Sequence, residues 1–178
     1  MNKREPCQDG NVAALSDLFM CGGFSKIMVK DNKYFMNLAL KEAKKAEAID
    51  EVPIGCVIVK DNKVIARGHN LRETKQDPTG HAEIVAIKKA SKKLNSWRLE
   101  GCDLYVTIEP CIMCSGAIIQ SRIRKVVYGA PDLKGGALNS SINVLEAKNI
   151  NHHPEVISGV MEEECSIIIK EYFKAKRK

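Results

Sequence analysis

A chain of 178 residues, 44 % of them hydrophobic and 28 % charged, has the material for one ordinary domain with a real core and is too apolar to be a disordered or fibrous chain. No apolar run approaches the length of a bilayer span, so no membrane partner is expected. The net charge of +6 gathers at one end, where Lys170, Lys174, Lys176, Arg177 and Lys178 stand against Glu171 alone, and this predicts an anionic partner met by the C-terminus.

Residues 1–30 follow neither a helical nor a strand period, and contain Gly10, Gly22 and Gly23. They are expected to be a disordered N-terminal extension, with Met28 as an alternative start, and the domain is expected over 31–178. The stretch Val12–Leu15 is halted by Ser16 and Asp17, too short for an export signal, so the expected compartment is the cytoplasm. Seven cysteines are an odd number for a disulfide framework and point instead to metal ligands and buried thiols. Cys56, Cys102 and Cys165 read as small buried hydrophobes, and Cys7 and Cys21 as lying outside the fold.

Along the domain, Asp31 is placed to cap a helix whose apolar positions Phe35, Leu38, Ala39, Ala43 and Ala46 keep helical spacing. Val52–Val59 is apolar on both faces, as a central strand requires. Asp61-Asn62 suits a tight turn into a second strand, Val64–Gly68. A helix is expected from about His81 to Leu94, a strand over Leu104–Ile108, and a helix opened by Pro110 that ends near Arg122. Val126–Tyr128 and Val156-Ile157 are short strands, and the last helix carries Cys165, Ile168, Ile169 and Tyr172 on one stripe. Helices between the later strands require parallel pairing after an antiparallel hairpin. The fold class is therefore α/β, with a five-stranded mixed sheet covered on both faces.

Two segments carry chemistry: His81-Ala82-Glu83 and Pro110-Cys111-Ile112-Met113-Cys114. Cysteines three apart on a helix's first turn project from one side and can share an ion. An imidazole completes a Cys₂His set for one Zn²⁺ per chain, with a fourth tetrahedral position left for water. Glu83 is the base such a water needs. Regular helical geometry would set His81 and Glu83 on opposite sides, so His81 must sit at the helix's very first turn. The competing reading is a closed, purely structural zinc knot. Its fourth ligand would come from His69, His152 or His153, because Cys102 lies on the order of 20 Å from Cys111 across an extended strand. That reading leaves Glu83 without a purpose.

The spacing His-x-Glu followed by Pro-Cys-x-x-Cys is the signature of zinc-dependent nucleobase deaminases, and the chain resembles that superfamily. Flanking segments narrow the resemblance to the branch that acts on tRNA adenosine. They are Glu51-Val52-Pro53-Ile54-Gly55, Asp77-Pro78-Thr79-Gly80, Ser96-Trp97-Arg98-Leu99, Tyr105-Val106-Thr107-Ile108-Glu109, Ser121-Arg122-Ile123 and Tyr128-Gly129-Ala130. The resemblance implies a cytidine-deaminase-like three-layer α/β/α domain, a homodimer, and hydrolysis of the wobble adenosine of a tRNA anticodon stem-loop to inosine. It also implies that Asn70 and the backbone N–H of Ala82 touch the base and that Asp132 meets the anticodon strand. Lys174, Lys176, Arg177 and Lys178, interleaved with aromatic residues, are then read as RNA phosphate contacts. Two positions depart from the family: Gly80 stands where Ala is usual, and Asn139 where Gly is usual, Asn being the more tolerant of positive φ. The rivals are a free-base or nucleoside deaminase for guanine or cytosine, and an inactive RNA-binding subunit.

Overall fold

The structure, a computed structural model, describes residues 30–177. The extension 1–29, with Cys7 and Cys21, and Lys178 fall outside the described residues. Eleven elements follow one another: α1 (Asn32–Glu47), β1 (Gly55–Lys60), β2 (Lys63–His69), α2 (Arg72–Lys75), α3 (Ala82–Leu94), β3 (Asp103–Ile108), α4 (Ile112–Gln120), β4 (Lys125–Ala130), a 3₁₀ turn (Val144–Glu146), β5 (Glu155–Ile157) and α5 (Glu162–Lys176). Asp31 caps α1 as expected, its carboxylate accepting from the Tyr34 N–H at 2.8 Å. The turn between β1 and β2 has φ of 49° at Asp61 and 59° at Asn62, the left-handed pair that matches strand twist in a two-residue hairpin.

The sheet is five-stranded and mixed, in the order β2-β1-β3-β4-β5. β1 runs antiparallel to both β2 and β3, whereas β3, β4 and β5 are parallel. On one face, Ala82, Ala86 and Ala90 of α3 and Ile118 of α4 pack on Cys56, Ile58, Leu104, Val106 and Val126. On the other, Phe35, Met36 and Ala39 of α1 and Cys165 of α5 pack on Val57, Val59, Tyr105 and Val127. These alternating sets give three layers, and explain why β1 and β3 are apolar at nearly every position. Cys56, Cys102 and Cys165 are fully buried thiols. Gly68 lets α3 lie directly on β2, since a Cβ there would strike the Ala82 carbonyl.

The sequence reading is corrected at two boundaries and by one added element. β1 begins at Gly55 rather than Val52, because Pro53 has no N–H to give a ladder and the Ile54 N–H turns back to the Val52 carbonyl at 2.7 Å. α4 begins at Ile112, two residues beyond Pro110, because Cys111 is extended and forms an isolated bridge with Gly136. The short α2 was not anticipated. It has no side-chain cap of its own and depends on a carboxylate from elsewhere in the chain.

This topology brings the chemistry to one edge. β3 and β4 end there, and antiparallel pairing of Gly55 with His69 places the start of β1 and the end of β2 beside them. Open α/β sheets bind ligands at such an edge, outside the carboxyl ends of their parallel strands.

Candidate active site

His81 and Cys111 occupy equivalent places. Each is the extended residue just before a helix, at φ −74°, ψ 152° before α3 and φ −73°, ψ 174° before α4. Two helix N-termini, with unpaired N–H groups and positive dipole ends, therefore converge where anionic ligands must sit. His81 is not helical, which releases it from the opposed directions that a regular helix would impose on it and Glu83. Its Nδ1 lies 3.6 Å from Sγ of Cys111 and 3.6 Å from Sγ of Cys114. A tetrahedral zinc with bonds of about 2.3 Å to sulfur and about 2.0–2.1 Å to nitrogen requires an S···N separation of about 3.6 Å. The donor set fits that ion.

Among the described residues these three form the one cluster of metal-binding side chains, with ligand atoms within 4.8 Å of one another. The candidates for a fourth, closing ligand are placed elsewhere. His69 faces Glu42 at 3.3 Å, and His152 hydrogen-bonds the Ile123 carbonyl at 2.6 Å. The site is of the open, three-ligand kind. The hydrogen bond between the two sulfurs holds the Cys111 thiol down to about 4, aided by His81, and with burial it pushes Cys114 well up. The same contact with Cys111 raises His81. Three donors so close compete for protons, as a set built to share a cation should.

Glu83 lies in the first turn of α3 and is 4 % exposed. Burial pushes its carboxyl up to about 6, although its own backbone N–H and His81 work against that rise. A carboxyl poised there can both take and return a proton near neutral pH. Ala82, fully buried between the two, is the first helical residue, so its N–H has no partner within α3.

Asn70 follows the last residue of β2 and is buried, its Nδ2 donating to Glu51 at 3.0 Å. Asp132 follows β4, and its Oδ1 accepts from the N–H groups of Lys134 and Gly135 at 3.0 and 3.1 Å. That carboxylate caps a turn. At the C-terminus, Lys174 and Arg177 line an open groove with Ile169 and Phe173, whereas Lys176 reaches Asp50 at 2.5 Å. The Tyr172 hydroxyl donates to the Asp50 carbonyl at 3.0 Å. Asp50 adjoins Glu51, so the last turn of α5 is tied to the active edge.

Glu109, a residue the sequence reading passed over as part of a strand-to-helix segment, joins these parts. Its Oε1 accepts from the N–H groups of Leu138, Asn139 and Ser140 at 3.0, 2.7 and 3.0 Å. Its Oε2 accepts from the Asp132 N–H at 3.2 Å and from the Ser140 hydroxyl. Ala137 N–H adds a bond to the Pro110 carbonyl at 2.9 Å, and a Cβ on Gly136 would collide with the Glu109 carboxylate. The loop after β4 is thus moulded onto the residues leading into Cys111. Asn139 has an ordinary φ here, and its Nδ2 donates to the Tyr128 hydroxyl at 2.9 Å, so the departure from Gly needs no left-handed backbone.

A three-layer mixed-sheet domain with a buried glutamate and His, Cys and Cys donors that fit a metal, gathered at two helix N-termini, has the architecture of a nucleobase deaminase. Residues 30–177 match the MafB19-like deaminase family. The tRNA-specific adenosine deaminase of Bacillus subtilis (strain 168) is 52 % identical over 151 residues, 85 % of this chain and 93 % of that one. A solved structure from work on A-to-I editing by tRNA:A34 deaminases superposes with a TM-score of 0.74 at 49 % identity, covering 76 % of this chain and 98 % of that one. The Bacillus subtilis guanine deaminase is further off, with a TM-score of 0.56 and 34 % identity over 67 % of this chain and 87 % of its own. The chain belongs to the MafB19-like deaminases and, among them, to the tRNA-specific adenosine deaminases.

Proposed function

We propose that this protein hydrolyses the wobble adenosine of a tRNA anticodon loop to inosine and ammonia, using zinc held by His81, Cys111 and Cys114. The observation that carries the reading is the buried Glu83 carboxyl beside an open three-donor cluster, in a chain 52 % identical over 151 residues to a tRNA-specific adenosine deaminase. Zinc bound there supplies the Lewis acidity that makes water a nucleophile near neutral pH. Glu83 takes one proton from the attacking water and delivers it to the ring nitrogen beside C6, then takes the second from the hydroxyl added at C6 and delivers it to the departing amine. The C6–O bond forms first and the C6–N bond then breaks, and one water is consumed for each ammonia released. Glu83 itself is 4 % exposed, so bulk water is largely kept from the carboxyl.

Asn70 and the Ala82 N–H are assigned to the base, and Asp132, at the head of the loop moulded by Glu109, to the anticodon strand. Lys174, Arg177 and Lys178 are assigned to phosphates, with Lys176 joining them from its exposed pair with Asp50. The tie between Tyr172 and Asp50 supports this, because it brings the basic turn to the edge that holds Asn70. Exposed Ile112, Leu133 and Ile142, on the two segments bridged by Cys111 and Gly136, support a homodimer that covers them, and sedimentation measures it. A tRNA substrate puts the reaction in the cytoplasm, and no helix among the described residues is long and apolar enough to cross a membrane.

The test is substrate reach. Adenine within a duplex hides C6, whereas a loop base splays out cheaply. A minimal anticodon stem-loop is expected to be deaminated, and the same sequence annealed into a continuous duplex is not. Free adenosine lacks the loop contacts that would position it and is expected to be poor. Ammonia released from free guanine or cytosine at a comparable rate would move the protein to the small-molecule branch. On the same stem-loop, removal of Lys174–Lys178 is expected to weaken binding and to lower the slope of log affinity against log salt by ~0.7–0.9 per lost phosphate contact. An unchanged slope would make the tail ordinary surface.

A further inference from the structure

Glu51 is fully buried and has no part in the chemistry described above. It follows Asp50, whose φ of 63° lies in the turn just after α1, and its own N–H is fixed to the Ala46 carbonyl at 3.0 Å. From that anchored backbone the carboxylate spans two elements. Oε1 accepts from the Thr74 N–H at 2.6 Å, at the open end of α2, and Oε2 accepts from Asn70 Nδ2 at 3.0 Å. Burial drives the carboxyl up, but hydrogen bonds from Thr74, Glu73 and Arg72 outweigh it and hold Glu51 below its ordinary value, so it is ionised at neutral pH.

An ionised carboxylate only accepts. Its partner on Asn70 must therefore be the amide nitrogen, never the oxygen. The backbone around Asn70 is already pinned, with the Asn70 N–H on the Ile54 carbonyl at 3.1 Å and the Leu71 N–H on the Gly80 carbonyl at 2.8 Å, one residue before His81. What remains free in an asparagine so placed is χ2, a broad and nearly two-fold torsion whose two settings exchange a donor for an acceptor. Glu51 removes that freedom. Among the described residues nothing donates to Asn70 Oδ1, and that oxygen is not among atoms sealed from solvent without a partner. The carbonyl and one N–H are left for a ligand.

We propose that Glu51 is a positioning residue that locks the Asn70 carboxamide in one of its two settings and so fixes the pattern of donor and acceptor offered to the substrate base. The proposal rests on the assignment of Asn70 to the base. It makes Glu51 act through Asn70, which a role confined to holding α2 would not.

A double-mutant cycle on the stem-loop substrate separates these. Glu51→Gln keeps an oxygen for the Thr74 N–H, but turns an NH₂ toward Asn70 and favours the reversed amide. It is expected to lower kcat/KM roughly 10- to 100-fold, with zinc content unchanged, as when a buried polar group is left mismatched. Asn70→Ala is expected to lose a similar factor. The double variant is expected to lose no more than Asn70→Ala alone, since residues that act as one unit do not add. Losses that multiply in the double variant, with Asn70→Ala itself impaired, would overturn the positioning role and leave the base contact standing. Full activity of Asn70→Ala would sink both. If Glu51→Gln does not fold, proton exchange of the Asn70 side-chain amide in the unaltered protein decides. One of the two Nδ2 protons is expected to exchange slowly, and equally fast exchange of both would refute the lock.

Discussion

Glu83→Ala is expected to retain about one zinc per chain while deamination of the stem-loop falls by roughly 10³-fold or more. Proton transfer by a placed side chain contributes about 10²–10⁴, and Glu83 is expected to be used twice in each turnover, once to carry a proton to the ring nitrogen and once to carry one to the departing amine. The carboxylate lies beside the donor cluster without being one of its members, so the metal does not depend on it. Cys114→Ala makes the contrast. Its sulfur is fully buried and 3.6 Å from His81 Nδ1, and its loss is expected to release the metal and lower the melting temperature, because bound metal stabilises only the folded chain. Metal analysis beside single-turnover rates on both variants reads the difference. Substantial turnover by the Glu83 variant would refute the proton shuttle. Glu83→Gln sharpens the point, since it keeps the volume of the side chain but cannot take up the proton.

The metal cluster was legible because its parts are local. His81-Ala82-Glu83 and the Cys111–Cys114 spacing each fit one turn at a helix start, and the apparent conflict between His81 and Glu83 itself predicted that His81 sits at the helix's very first turn, where the structure sets it just before α3. The sheet was legible for a similar reason: β1 and β3 announce themselves by being apolar on both faces. Glu51 and Glu109 were not, although both are buried carboxylates at the active edge. Their main partners are backbone N–H groups of α2 and of the loop after β4, 23 and 29 to 31 residues away, and backbone donors leave no trace in side-chain pattern. The one available signal was a lone charge where the chain is otherwise apolar, Glu109 between β3 and α4. The strand boundary at Gly55 was missed for the opposite reason: Val52 and Ile54 look like strand, and only the absent N–H of Pro53 argues otherwise.

Glu109 also carries the largest expected effect on stability. Glu109→Ala would leave the N–H groups of Asp132, Leu138, Asn139 and Ser140 without their acceptor, in a segment where Leu138 is buried. Each buried donor so stranded costs about 1–3 kcal/mol, against a total of about 5–15 kcal/mol for a domain. That variant is expected not to accumulate as folded protein. Glu109→Gln is the measurable one. Its oxygen can still serve Leu138, Asn139 and Ser140, but its NH₂ meets the Asp132 N–H donor to donor, and a mismatch of about 1–3 kcal/mol lowers the melting temperature of a chain this size by roughly 2–12 °C. The pH dependence gives a second signature. Burial raises the Glu109 carboxyl, but the Ser140 hydroxyl and the loop N–H groups outweigh it and hold the group below its ordinary value. The folded state therefore binds the proton less readily than the unfolded chain. The carboxylate's contribution is fully present above the unfolded value of about 4.3 and is lost as pH falls through the lower folded one. Gln cannot titrate, so the gap in melting temperature between the unaltered protein and Glu109→Gln is expected to be widest near neutrality and to close below about pH 4. Release of metal in acid affects both proteins alike and cancels in that gap. A gap that stayed constant from pH 7 to pH 3 would mean that the Glu109 charge contributes nothing, and that the loop carrying Asp132 is held by Gly136 and the Ala137–Pro110 bond alone.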